Sequence, residues 1–143
     1  MESAAQRLEG LKAEFAEFTD SFDRYSYLVE LAGLLPLYPD ERRNEAHLVK
    51  GCQSHVWLSA YERDGLFYFD GDSDTLILKG LLLLLQDLFC GLPLRQASDL
   101  NLDLLSDLGL NESFPDQRQK GIGYIFQRLR GEAERLASCE RVS

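Results

Sequence analysis

The sequence predicts an α+β domain in which a small three-stranded antiparallel sheet packs against helices. Three observations carry that prediction. Apolar residues recur at steps of three and four near both ends of the chain, and two β-branched and aromatic runs flank an Asp-Gly turn in the middle. A leucine run, Leu81 to Leu85, follows that turn. The 143 residues fit one domain, taken here as 1–143.

In chain order, Leu8, Leu11, Phe15 and Phe18 mark the apolar face of a first helix. Asp20 or Ser21 can cap a second, with Phe22, Tyr25, Leu28, Leu31, Ala32 and Leu35 as its buried stripe. Pro36 and Pro39 end it and open a loop. His47 to Lys50 reads as a short strand. Val56–Glu62 and Leu66–Phe69 read as a hairpin turning at Arg63-Asp64-Gly65. Asp72-Ser73-Asp74 offers oxygens to cap a helix from about Thr75 to Cys90. That helix is apolar on all sides, hence central, and Gly91 and Pro93 end it. Short helices near Leu94–Ala97 and Leu102–Leu108 precede a final helix from about Pro115 to Ala137. Ile122, Ile125, Phe126 and Leu129 form the apolar face of that last helix.

Composition narrows the function classes. Hydrophobic residues at 45% and charged residues at 27% exclude overall disorder. Asp and Glu number 24 against 15 Lys and Arg, a net charge of -9, so non-specific binding to nucleic acid or anionic membrane is not expected. Two stretches run against that balance, 41–63 at +1 and 117–143 at +3. The N-terminus has charges where a signal peptide would be apolar, and Thr75–Phe89 is too short and too polar to span a bilayer. Cys52, Cys90 and Cys139 are an odd number without a C-x-x-C pair, which suggests neither a disulfide framework nor a four-ligand metal site. A reducing cytoplasm is the expected location.

Cys52 is the thiol to single out. It lies in Gly51-Cys52-Gln53-Ser54 between two expected strands, and Arg42, Arg43 and Lys50 precede it. Positive charge nearby raises the thiolate fraction, while a buried structural cysteine is the competing reading. Both stand on spacing alone. His47 and His55 flank Cys52 at odd offsets, so a strand would send them to the opposite face, and they read as half-exposed residues. Asp70-Gly71-Asp72-Ser73-Asp74 begins like a calcium loop but has Thr75 and Leu81 where that loop needs glycine and glutamate. Cys90 belongs to the core, Cys139 to the surface, and Arg118–Gly121 to a solvated helix start.

Four blocks together resemble a known family. Val49-Lys50-Gly51-Cys52-Gln53-Ser54-His55-Val56-Trp57 resembles the cysteine-loop signature of the SufE family, sulfur acceptors of the SUF iron–sulfur assembly system. Asp23-Arg24-Tyr25, Leu28, Glu30-Leu31 and Leu35-Pro36 are similar to its first-helix block. Gly71-Asp72-Ser73-Asp74, Ile77 and Lys79-Gly80-Leu81 resemble its second signature. Arg118 and Gly121 resemble its Arg-Ser-x-Gly turn, from which Gln119 and Lys120 depart.

The resemblance implies a fold shared with U-type iron–sulfur scaffolds and no cofactor of the chain's own. It implies a SufS-type cysteine desulfurase as partner, which holds the pyridoxal phosphate, and a SufBCD-type scaffold as receiver. Cys52 would be the persulfide acceptor, with Gly51, Gln53, Ser54 and Trp57 forming and supporting its loop. His55, Asp74, Lys79 and Arg118 would contact the thiolate or the partner. The loop would be tucked in when free and swing out about Gly51 when docked. Gln53-Ser54 favours this type over the CsdE paralogue, which serves a different desulfurase. The alternatives are an allosteric desulfurase activator in which Cys52 only packs, and a stand-alone cysteine enzyme, which lacks an evident general base or resolving cysteine.

Overall fold

Ser3 opens the first helix by a reciprocal cap. Its hydroxyl accepts the Gln6 N–H at 3.2 Å, and the Gln6 side chain accepts the Ser3 N–H at 2.8 Å. The computed structural model describes residues 3–51, 54–99, 103, 108, 110 and 116–142, the last range without the side chains of 116–120 and 140–142. Helix α1 (Ala4–Phe15) is followed by α2 (Ser21–Ala32), capped by the Asp20 carboxylate on the Asp23 N–H. Phe18 does not extend α1. It folds back so that its ring lies 5.8 Å from Phe15 and 5.0 Å from Tyr27.

The expected stripe of α2 is corrected at its first half. Leu28, Leu31 and Ala32 are buried, whereas Phe22 is 73% and Tyr25 42% exposed. Steps of three residues each fall about 60° short of a full turn, so Phe22 lies about 120° around the helix from Leu28. Only the second half of that row faces the core.

Strands β1 (Val56–Arg63) and β2 (Leu66–Ser73) form the expected hairpin, with β2 continuing past Phe69. Asp64 (φ 56°) and Gly65 (φ 80°) both take positive φ, as a two-residue hairpin turn requires. The third strand is not His47–Lys50. It is β3 (Leu92–Pro93), antiparallel to Leu66–Phe67, so β2 is central and β1 is an edge. His47–Lys50 contributes one bridge, Leu48 with Trp57, through Val49 N–H to Val56 O and Leu58 N–H to His47 O. On the side away from the loop, turn bonds from His47 N–H to Asn44 O and from Leu48 N–H to Glu45 O take the chain off the edge before a ladder can form, and Gly51, at φ 93°, turns it on the loop side.

Helix α3 (Leu76–Phe89) is the buried centre, packed on α2 and β2. Its N-cap is Thr75 and carries no side-chain capping bond. The expected caps Asp72 and Asp74 are engaged elsewhere. At its far end the Arg7 guanidinium of α1 donates to the carbonyls of Asp87, Leu88 and Cys90. Gly91, at φ 85°, turns the chain into β3, its N–H donating to Phe67 O. Helix α4 (Leu94–Asp99) agrees with expectation, while the expected helix at Leu102–Leu108 lies outside the described residues apart from turns at Asp103 and Leu108. Helix α5 (Asp116–Val142) buries Ile122, Ile125, Phe126, Leu129 and Ala133. Among the described residues no helix is long and apolar enough to cross a membrane.

Helices α2 and α3 meet backbone to backbone at Gly80. A Cβ there would stand 1.8 Å from the Leu28 carbonyl oxygen. Gly80→Ala must push the helices apart, with an expected loss of about 3 kcal/mol. Urea unfolding checks this, read as a lower midpoint at unchanged slope.

Candidate functional site

The chain enters and leaves the cysteine loop along two stems that are held differently. On the entry side, Val49 is pinned to β1, and Gly51 lies under the Tyr124 ring of α5. A Cβ on Gly51 would come within 2.6 Å of that ring. Cys52 and Gln53 lie outside the described residues. On the exit side, Ser54 leads into His55, whose N–H donates to Asp74 Oδ1 at 3.2 Å and whose Nδ1 lies 3.0 Å from Asp74 Oδ2. Ser73 Oγ and Asp74 N–H both donate to the His55 carbonyl. The exit stem is therefore tied to the end of β2. Burial alone would raise the Asp74 carboxyl, but the bonds it accepts from His55 outweigh that and hold it below the usual carboxylate range. The His55 ring stacks on Trp57, centroids 5.7 Å apart at 14°.

Beneath this stem lies Asp72, only 8% exposed. Arg43 donates to its Oδ2, and the Lys79 ammonium stands 3.7 Å from its Oδ1. The Arg43 guanidinium also lies over the rings of Tyr38 and Trp57, at 5.5 and 5.4 Å. Its bonds to Asp72 and Asp40 raise its already high pKa further. A buried carboxylate needs such partners. The cluster joins the 40s loop, β2, α3 and the face of Trp57.

The cations that closely precede Cys52 in the sequence all have acidic neighbours. Arg43 is committed to Asp72 and Asp40, Arg42 stands 3.7 Å from Asp70, and Lys50 stands 3.9 Å from Glu45. Each of the three cations thus has a carboxylate beside it, with Arg42 and Lys50 still well exposed. Of the expected contacts, His55 and Asp74 meet each other at the exit stem, and Lys79 faces Asp72. Arg118 has its backbone in the first turn of α5, and its side chain lies outside the described residues. Among the described residues no three His, Cys, Asp or Glu side chains converge as a metal site.

The other two thiols differ sharply. Burial pushes the Cys90 thiol up to about 11, and its sulfur lies 3.8 Å from the Phe69 carbonyl oxygen. Cys139 is exposed on α5. Sequence reasoning missed Tyr124, Arg43 as a ring-stacked cation, and Asp72 as a buried anion. Only Asp72 had a signal, since it stands in one of the blocks carrying the family resemblance.

Comparison with known proteins adds four findings. The family model described as "SufE: Fe-S metabolism associated domain" matches residues 9–133. An uncharacterized SufE-like protein of Rhizobium meliloti is 33% identical over 135 residues, covering 89% of this chain and 94% of the relative. One of Rhizobium etli is 33% identical over 137 residues, covering 92% and 93%. The solution structure of a hypothetical protein from Thermus thermophilus superposes with a TM-score of 0.78 at 19% identity. It covers 92% of this chain and 96% of that one, a likeness of fold.

Gly51→Ala tests the entry stem. The positive φ alone is expected to cost about 1–2 kcal/mol, and displacing the Tyr124 ring adds to it. In a Tyr124→Ala background the penalty shrinks without vanishing. Chemical denaturation of the four proteins in a double-mutant cycle reads the difference.

Proposed function

The chain belongs to the SufE family of iron–sulfur metabolism, and from that premise we propose that it is a sulfur carrier whose acceptor is Cys52. The observation that carries the reading is the contrast among the stems and thiols. The candidate acceptor sits between a glycine at φ 93° and a hydrogen-bonded exit stem, whereas Cys90 is half-buried with its thiol pushed up to about 11. A carrier needs one accessible thiol on a movable stalk, not several metal ligands.

In the proposed step, the Cys52 thiolate attacks the terminal sulfur of a persulfide on the catalytic cysteine of a SufS-type desulfurase. The desulfurase S–S bond breaks, its thiolate leaves, and Cys52 becomes the persulfide with the proton retained on the terminal sulfur. Removing that sulfur frees the desulfurase for another turnover, so carriage and stimulation are one event. The pyridoxal phosphate stays with the desulfurase. A second exchange of the same kind passes the sulfur to a SufBCD-type scaffold, all in a reducing cytoplasm.

The residues divide their roles accordingly. Gly51 is the hinge, and the Tyr124 ring is the lid over it. Gln53 and Ser54 form the loop, and Trp57 with His55 and Asp74 fixes its exit. Lys79 acts as a positioning residue through Asp72. Arg118 has its backbone about 9 Å along the α5 axis from Tyr124, and its assigned role is contact with the thiolate or the docked partner.

Cys52→Ser separates this reading from allosteric activation. Carriage predicts that stimulation of cysteine turnover by a SufS-type desulfurase is lost, and that peptide mass spectrometry of the wild type finds one reducible extra sulfur on Cys52. Stimulation retained by Cys52→Ser overturns it. A desulfurase of the CsdA type, assayed alongside, tests the partner choice: stronger stimulation of that enzyme assigns the chain to the CsdE type.

A further inference from the structure

The two basic stretches of this acidic chain converge on one groove. It has a volume of about 670 Å³ and runs along the outer edge of β1, away from the cysteine loop. Arg42 and Arg63 come from the first stretch, Arg128 and Arg135 from the second, facing only two carboxylates, Asp70 and Glu132. Arg128 is committed to holding the wall, donating to the carbonyls of Ala46 and Leu48 and to Glu132. Arg42, Arg63 and Arg135 remain open to solvent on one side. Arg135 is 55% exposed beyond its bond to Glu132, and Arg63 lies over the Tyr61 and Tyr68 rings.

The floor of the groove is a strand edge. Val56 and Leu58 direct their backbone groups outward to Val49 and His47, so alternation directs those of Ala60 and Glu62 outward too. Among the described residues no backbone group pairs with them. The bridge at Leu48 ends where the groove begins, and an added segment would continue its line.

We infer that this groove binds an extended acidic segment of a partner protein, which adds as a strand to β1 beyond the Leu48 bridge. An extended segment of about five residues spans Ser59 to Arg63. Its main chain would pair with Ala60 and Glu62, and its carboxylates would meet Arg42, Arg63 and Arg135. A second copy of this chain is the weaker occupant, because edge-to-edge pairing brings the same arginines against themselves. The inference does not rest on sulfur carriage, since the groove lies at the end of β1 opposite the loop.

The probe is a capped hexapeptide alternating glutamate and valine, with a lysine–valine hexapeptide as control, added to the full chain and followed by amide NMR and hydrogen exchange. The acidic peptide is expected to shift and protect the Ala60 and Glu62 amides, while the basic one does neither. Arg63→Glu combined with Arg135→Glu should weaken binding at least tenfold, and Ala60→Pro, which removes one outward N–H, should abolish it. Cys52→Ser should bind as the wild type does. The inference is overturned by unmoved Ala60 and Glu62 amides, which would make the arginines a charged guard on an edge strand. Equal binding of the basic peptide overturns it as well. So does protection that rises with protein concentration alone, which would identify a second copy as the occupant.

Discussion

The buried carboxylate of Asp72 is the constraint on which the site depends. Removing a carboxylate from water is costly unless charge and hydrogen bonds replace the lost solvation. Here Arg43, from the distant 40s loop, and Lys79, from the helix that follows β2, supply both. Such a cluster contributes less to net stability than to arrangement, because leaving any partner unpaired is strongly unfavourable. It sets the 40s loop, the end of β2 and the start of α3 in one register. Arg43, lying over Trp57, extends that register to β1. The exit stem of the cysteine loop then hangs from a fixed frame through His55 and Asp74.

The entry stem is governed by different forces. Gly51 has a backbone conformation that side chains resist and a ring resting on it, and Tyr124 is 44% exposed. One stem is locked by charge and hydrogen bonds, and the other is covered by a partly exposed ring. Strand β1 joins the loop at its first residues to the basic groove at its last, so one strand serves two separate surfaces.

Much of the fold was legible because it is local. The hairpin followed from Asp64-Gly65 between strand-forming runs, and the central helix from a leucine run too long and uniform for a surface. Helix α5 followed from the periodicity of Ile122, Ile125, Phe126 and Leu129. What escaped was non-local or geometric. Leu92–Pro93 is too short to carry a strand pattern, and it pairs because Gly91 swings it beside Phe67. Phe22 and Tyr25 kept the spacing of a stripe while drifting off the buried face. Asp72 read as a helix cap because its partners Arg43 and Lys79 meet it only in the folded chain. The two basic stretches were visible as an excess of charge, but their convergence on the β1 edge was not. The family resemblance pointed to Cys52, and local spacing alone left its role open.

The proposed carrier role requires sulfur to move onto Cys52 from a desulfurase. The most direct test loads a SufS-type desulfurase with radiolabelled sulfur, removes free cysteine, and follows a single turnover after mixing with the chain. Carriage predicts that label leaves the desulfurase and arrives on Cys52 at the same rate, with no transfer to Cys52→Ser. Label that stays on the desulfurase while its turnover in the presence of cysteine still rises would contradict it.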